Sequence, residues 1–194
     1  MTKVMGLNSA PEEFRWSLER YHDAIEKGVL TELDKVELLF GKIIPKMPVG
    51  EPHADVLSDI TDFFYEQFGT RFKYRVQNPV TLPNDSEPEP DFAVVERRKY
   101  NRSTGHPNAE NIHLLIEIAD STLEYDRTSK MEAYALAGIK EYWIVNIRER
   151  QLEFHAEPII AKGIYGSRSV HEAGSRFTSP LAGELLVDSM LPEV

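Results

Sequence analysis

The chain has 194 residues, 41% hydrophobic and 28% charged, the proportions of a soluble globular protein with room for a real core. Its formal net charge of −10 argues against a protein that coats nucleic acid non-specifically, while leaving room for an enzyme that gathers carboxylates around a cation. The lack of cysteine excludes disulfides and thiolate metal sites, and no apolar run approaches the roughly 20 residues of a membrane helix or forms a signal-peptide core, so a cytoplasmic location without a membrane partner is expected.

Residues 1–16 read as a loose N-terminal arm and 17–194 as a single domain. Ser17 suits a helix N-cap; Leu18, Tyr21, His22 and Ile25 recur at helical spacing, and Gly28 supplies the stop. The stretch 35–46 predicts two strands joined by a turn near Gly41. Apolar residues at 56, 57, 60, 63, 64 and 68 predict an amphipathic helix over 53–68. Strands are then expected over 72–76 and 80–82, followed by a segment held extended by Pro79, Pro83, Pro88 and Pro90. Two apolar strands carry Asp91 and Glu117 respectively. Asp126 is expected to cap a helix ending near Ala137 and Gly138. The strand at 141–146 is expected to pair with 151–156 as a hairpin, and the remainder to hold one strand and a loosely docked end at 181–191. The order of elements predicts an α/β (α+β) architecture with a mixed central sheet flanked by helices.

An ionised carboxylate inside an apolar strand is costly unless a cation or hydrogen bonds compensate it, and here two such strands each carry one. Neighbouring strands lie about 4.8 Å apart, so Asp91 and Glu117 on one face can share an ion. Hard divalent cations take one or two carboxylates plus other oxygen ligands, and the Ile118 backbone carbonyl is a further candidate. A nearby lysine would orient water and steady charge on phosphate. Position 119, on the same strand face as Glu117, is alanine; the next candidate is Lys130, with Tyr134 on the same helical face. Arg71, Lys73 and Arg75 alternate along one strand, and a basic run follows at 97–102, which permits contact with phosphates.

The stretches Glu-Pro-Glu-Pro-Asp-Phe-Ala-Val-Val, Leu-Ile-Glu-Ile-Ala-Asp-Ser-Thr and Tyr-Asp-Arg-Thr-Ser-Lys-Met-Glu-Ala-Tyr-Ala-Leu-Ala-Gly-Ile-Lys-Glu-Tyr-Trp-Ile-Val resemble the Uma family. These are restriction-endonuclease-like proteins within the PD-(D/E)XK nuclease superfamily. The resemblance extends upstream through Val36-Glu-Leu-Leu-Phe-Gly-Lys-Ile and Gln77-Asn-Pro-Val, covering about residues 17 to 190. It implies a Mg²⁺-dependent nuclease centre, with Mn²⁺ as a substitute and DNA as the partner. In that centre Asp91 and Glu117 are the superfamily acids, Lys130 replaces the lysine missing at Ala119, and Glu37 is a further acid. A homodimer is expected by analogy with restriction-type nucleases.

Each residue also has a plainer reading. Asp91 and Glu117 would serve as members of structural ion pairs, Glu37 as an outward residue of an exposed strand, Lys130 as a solvated helix residue and Tyr134 as core. His53 and Gln77 are accessory candidates that local structure alone would explain. The functional alternative to a nuclease is a binding or regulatory module that keeps the fold without catalysis, motivated by Ala119 and the acidic net charge.

Overall fold

A computed structural model describes residues 13–191. Positions 1–12 of the expected arm, and the last three residues of the expected domain, lie outside the described residues. Helix α1 (Leu18–Glu26) starts where Ser17 accepts a hydrogen bond from the Arg20 amide, and Gly28 follows its end at φ +70°. The hairpin β1 (Val36–Leu39) and β2 (Lys42–Pro45) turns through Phe40 and Gly41, both at positive φ. Only glycine suits position 41: besides its φ of +70°, a Cβ there would sit 2.7 Å from the Trp16 carbonyl oxygen. Trp16 in turn donates its amide to the Gly41 carbonyl at 2.8 Å, tying the chain ahead of α1 to the hairpin.

Helix α2 (Glu51–Phe68) starts two residues before the expected position, with Pro52 in its first turn, and buries Val56, Leu57, Ile60 and Phe64. Among the described residues no helix is long and apolar enough to cross a membrane.

The central sheet has six strands: β3 (Lys73–Val76), β4 (Phe92–Val95), β5 (Ile112–Ala119), β6 (Glu141–Asn146), β7 (Gln151–Ile159) and β8 (Ile164–Glu172). They lie in that spatial order; β5 and β6 run parallel and every other pair antiparallel. The parallel pair needs a crossover, which the helical segment 123–136 supplies. The expected strand at 80–82 forms only single bridges, Thr81 to Asn108 and Leu82 to Ser86, because the proline-rich chain around it cannot sustain a ladder.

Alternation along the strands builds two cores. Phe92, Val94, Leu114, Ile116, Trp143 and Phe154 face α2. The tail packs on this same side, which corrects the expected loose end. After β8 the chain forms the antiparallel pair β9 (Arg176–Ser179) and β10 (Gly183–Leu186), and Phe177, Leu185, Val187, Met190 and Leu191 are buried against the sheet. Such alternating single apolar residues acquire a buried face only because the sheet lies beneath them. The opposite face carries Ala93, Val95, Leu115, Tyr142 and Ile144, covered by Leu39 of the hairpin and by Ala133, Tyr134 and Ala135. Glu117 belongs to this second face.

Candidate active site

Pro90 has no amide proton, and the β3–β4 and β4–β5 ladders begin at Phe92. Asp91 therefore stands just ahead of β4, not inside it as the apolar run predicts. Continuing the register would set Pro90 opposite Ile118. In its place the Asp91 carboxylate folds over the strand end, and Oδ2 accepts the Ile118 amide at 2.8 Å. Both polar groups of a strand residue point to the same side, so the Ile118 carbonyl is turned to this gap as well. The other Asp91 oxygen, Oδ1, bonds His53 Nε2 at 2.9 Å and accepts from Gln77 Nε2 at 3.3 Å. His53 is placed by the first turn of α2 and Gln77 by the end of β3, where φ is +47°. Burial works against a charge on His53 and is the largest single influence, but the bond to Asp91 and the charges of Asp91, Asp126 and Asp120 together outweigh it and raise its pKa.

Glu117 is buried in the middle strands. Its Oε1 accepts from Tyr134 Oη at 2.6 Å and from Lys130 Nζ at 3.1 Å. The same ammonium donates to Glu37 Oε2 at 3.0 Å. Glu37 is turned inward on β1; it also accepts the Glu89 amide at 2.9 Å and the Tyr125 hydroxyl at 3.0 Å. Glu89 reaches it because the proline-rich segment runs beside β1, with Glu87 donating its amide to the Leu38 carbonyl.

The lysine arrives through an irregular helix. Residues Leu123–Tyr125 form α3, Asp126–Lys130 a π-helical turn, and Met131–Leu136 helix α4. Thr122 rather than Asp126 is the N-terminal flanking residue. Asp126 lies inside the helix, buried, accepting from Thr122 Oγ1 at 2.6 Å, while its carbonyl takes the Tyr142 hydroxyl at 3.0 Å. A π turn adds a residue to the helical circuit and recurs at functional sites. Here it points Lys130 and Tyr134 at the sheet together.

Lys130 thus lies between Glu37 and Glu117, Asp126 is close enough to feel its charge, and Asp91 is held separately by His53, Gln77 and the Ile118 amide. Among the described residues no three His, Asp or Glu side chains are already arranged as a metal cage. Burial pushes the Glu117 carboxyl well above the usual range, and Asp91 and Asp126 add to this against the opposing pull of Lys130. Burial also raises Asp126, to about 6. For Lys130, burial opposes the charge, but Glu117 and Glu37 outweigh it and hold the pKa above its ordinary value. Lys130 is an ammonium at any working pH. Tyr134 and Tyr125 are raised chiefly by burial and by the adjacent carboxylates, so both remain hydroxyl donors.

The profile of the Uma2 family, described as "Putative restriction endonuclease", matches residues 18–188. The chain belongs to that family. A solved structure described as a putative nuclease belonging to DUF820, from Anabaena variabilis ATCC 29413, aligns with a TM-score of 0.70 at 16% identity. The alignment covers 90% of this chain and 96% of that one. No curated protein matches. The fold of this Uma2 chain is accordingly the restriction-endonuclease-like mixed sheet with flanking helices expected from its motifs.

All the residues singled out from the sequence lie around this one centre: Asp91, Glu117, Lys130, Glu37, His53, Gln77, Tyr134 and the Ile118 backbone. Sequence reasoning missed Asp126, Tyr125 and Glu89 as neighbours of it. Asp126 looked like a helix cap, and nothing in the spacing of Tyr125 or Glu89 marks a residue that meets Glu37 from another element.

Proposed function

We propose that this Uma2 protein is a metal-dependent endonuclease that hydrolyses DNA phosphodiester bonds. Mg²⁺, with Mn²⁺ as a substitute, is held by Asp91, Glu117 and the Ile118 carbonyl. The observation that carries this reading is the buried Lys130 ammonium 3.1 Å from Glu117, a cation delivered from a helix to a strand where Ala119 offers none. Two carboxylates and a carbonyl are hard oxygen donors of the kind Mg²⁺ takes. A divalent ion would also favour the ionised form of Glu117, which burial disfavours. Bound there, the ion would polarise the phosphodiester and acidify a water.

The remaining roles follow from the contacts. Lys130 is too basic to accept a proton, so it acts by donating hydrogen bonds to phosphate or to the attacking water. Glu37 and Tyr125 position that ammonium, Tyr134 fixes the rotation of Glu117, and His53 with Gln77 fixes Asp91. A surface for the phosphate backbone is offered on the β3 side. There the Tyr100 ring is flanked by Lys73, Arg75 and Arg98 at 5.6–5.7 Å. Arg75 is buried with Nε unpartnered among the described residues.

The test is cleavage of plasmid and single-stranded DNA with Mg²⁺ or Mn²⁺ by wild type, Asp91→Asn and Lys130→Ala, with folding of each checked by circular dichroism. Both substitutions are expected to abolish cleavage; activity that survives both refutes the site. One observation favours a second reading, a nuclease-fold binding module: Asp91 Oδ1 is already engaged by His53 and Gln77, and Lys130 is clamped between two carboxylates. Calorimetry with Mn²⁺ separates the two, since the enzyme requires binding that Glu117→Gln removes.

A further inference from the structure

On the far side of the π turn from Lys130, a cavity of about 150 Å³ opens between α4 and the edge strand β8. It is lined by Arg127, Met131, His155, Ile164, Tyr165 and Arg168. Beneath it the fully buried Glu153 carboxylate holds both arginines. Its Oε1 accepts from Arg127 Nε at 2.8 Å and also from Nη2, and its Oε2 from Arg168 Nη2 at 2.9 Å. Arg127 Nη2 lies a further 3.8 Å from the more exposed Glu149. One buried acid thus fixes the position of two guanidinium groups without satisfying all their donors.

Two of the residues that line this space carry a polar atom with nothing to bond. Tyr165 Oη and His155 Nδ1 are buried and have no hydrogen-bond partner among the described residues, although both side chains are at least nine-tenths buried. A buried unsatisfied polar atom costs about 1–3 kcal/mol, and two at one cavity is a combination native structures avoid. The cavity is far larger than the roughly 30 Å³ of one water. Donor-bearing side chains line it from three sides: Arg127 on the helix, Arg168 on β8 and the phenol of Tyr165. The walls between them, Met131 and Ile164, are apolar. Several donors in different directions match a tetrahedral oxyanion better than a planar carboxylate, and arginine pairs with phosphate bidentately.

We infer that this cavity is a phosphate-binding site, separate from the acidic centre, with Arg127, Arg168 and Tyr165 as its donors. Its place in the sheet gives it meaning. Glu117 pairs with Ile144 across one ladder and Ile144 with Glu153 across the next, so the two centres sit two strand spacings apart, about 10 Å. The helical turn between them sends Lys130 to one and Arg127 to the other. The phosphate comes from a free phosphate or mononucleotide, or from a nucleic-acid strand lying across the face.

Binding of inorganic phosphate to the full chain, measured by calorimetry and by the imidazole resonance of His155 in chelator at constant ionic strength, tests this. Phosphate is expected to bind and to shift His155. Tyr165→Phe should weaken binding about fivefold, the loss of one neutral hydrogen bond, while leaving the unliganded melting temperature unchanged because its hydroxyl has no protein partner. Arg168→Gln, at a half-exposed position, should weaken it at least about tenfold. A mononucleotide and a short DNA duplex then compete separately; displacement by the duplex identifies a strand phosphate, and displacement by the mononucleotide alone a small ligand. No shift of His155 with phosphate overturns the inference, as does a Tyr165→Phe protein that binds phosphate like wild type. None of these readouts requires cleavage, so they stand or fall independently of the proposed nuclease.

Discussion

Replacing Asp126 with asparagine takes an ionisable group out of the acid cluster while keeping an oxygen to accept from Thr122. In the folded protein the Asp126 carboxyl is raised from 3.8 to about 6, chiefly by burial, with Asp91 and Glu37 adding to the shift and Thr122 and Lys130 opposing it. The folded state therefore holds this proton more tightly than the unfolded chain. Stability from the group is full below the unfolded pKa and is lost as pH rises through the folded one. The gap of about 2.2 pH units, at 1.36 kcal/mol each, gives a loss of about 3 kcal/mol in wild type between pH 4 and pH 7. The asparagine side chain has no proton to lose, so Asp126→Asn should be more stable than wild type at pH 7 by up to about 3 kcal/mol and by less than about 1 kcal/mol at pH 4. At about 2–4 °C per kcal/mol, the melting temperature rises by about 6–12 °C at pH 7. Thermal melts of both proteins from pH 4 to pH 8 in chelator measure the difference directly. A difference that is flat with pH, or a variant less stable than wild type at pH 7, refutes the reasoning.

Lys130→Ala leaves Glu37 and Glu117 buried without their shared cation and should cost about 3–5 kcal/mol at pH 7. The cost shrinks toward pH 5 as Glu117, whose carboxyl is raised by burial, takes up its proton, which urea melts at the two pH values would show. Because burial raises the Glu117 carboxyl above the ordinary range, Mn²⁺ held there would displace its proton. Calorimetric affinity is expected to rise with pH above the ordinary carboxylate range, with proton uptake by the buffer, and a pH-independent affinity contradicts the raised Glu117 carboxyl. Gly41→Ala, which forces a Cβ to 2.7 Å from the Trp16 carbonyl at φ +70°, should destabilise by more than about 1 kcal/mol in chemical denaturation.

Much of the fold is legible because it rests on local chemistry. Ser17 and Gly28 bracket α1, the two-residue turn at Phe40-Gly41 declares a hairpin, and the spacing from Val56 to Phe68 shows one wet and one dry helical face. The tail is not legible, since Phe177, Leu185 and Met190 are spaced too thinly to announce a core and become one only against α2 and the sheet. Asp91 is visible as an acid in an apolar run, which reads as lying inside the strand. Its exclusion from that strand depends on Pro90, and its bond to the Ile118 amide depends on the register of β5.

What the sequence by itself determines is that carboxylates stand where water does not reach, and that a family pattern of acids and a helix lysine is present. Burial periodicity and residue type carry that much. Which acids meet which cation is decided only by tertiary structure, because Glu37, Glu117 and Lys130 come from a hairpin, a central strand and a helix, with Glu37 lying 93 positions from the lysine it meets. The π turn that swings Lys130 one way and Arg127 the other has no periodicity to read. Its consequence, one lysine clamped between two buried carboxylates at 3.0 and 3.1 Å, exists only once the helix lies across the sheet.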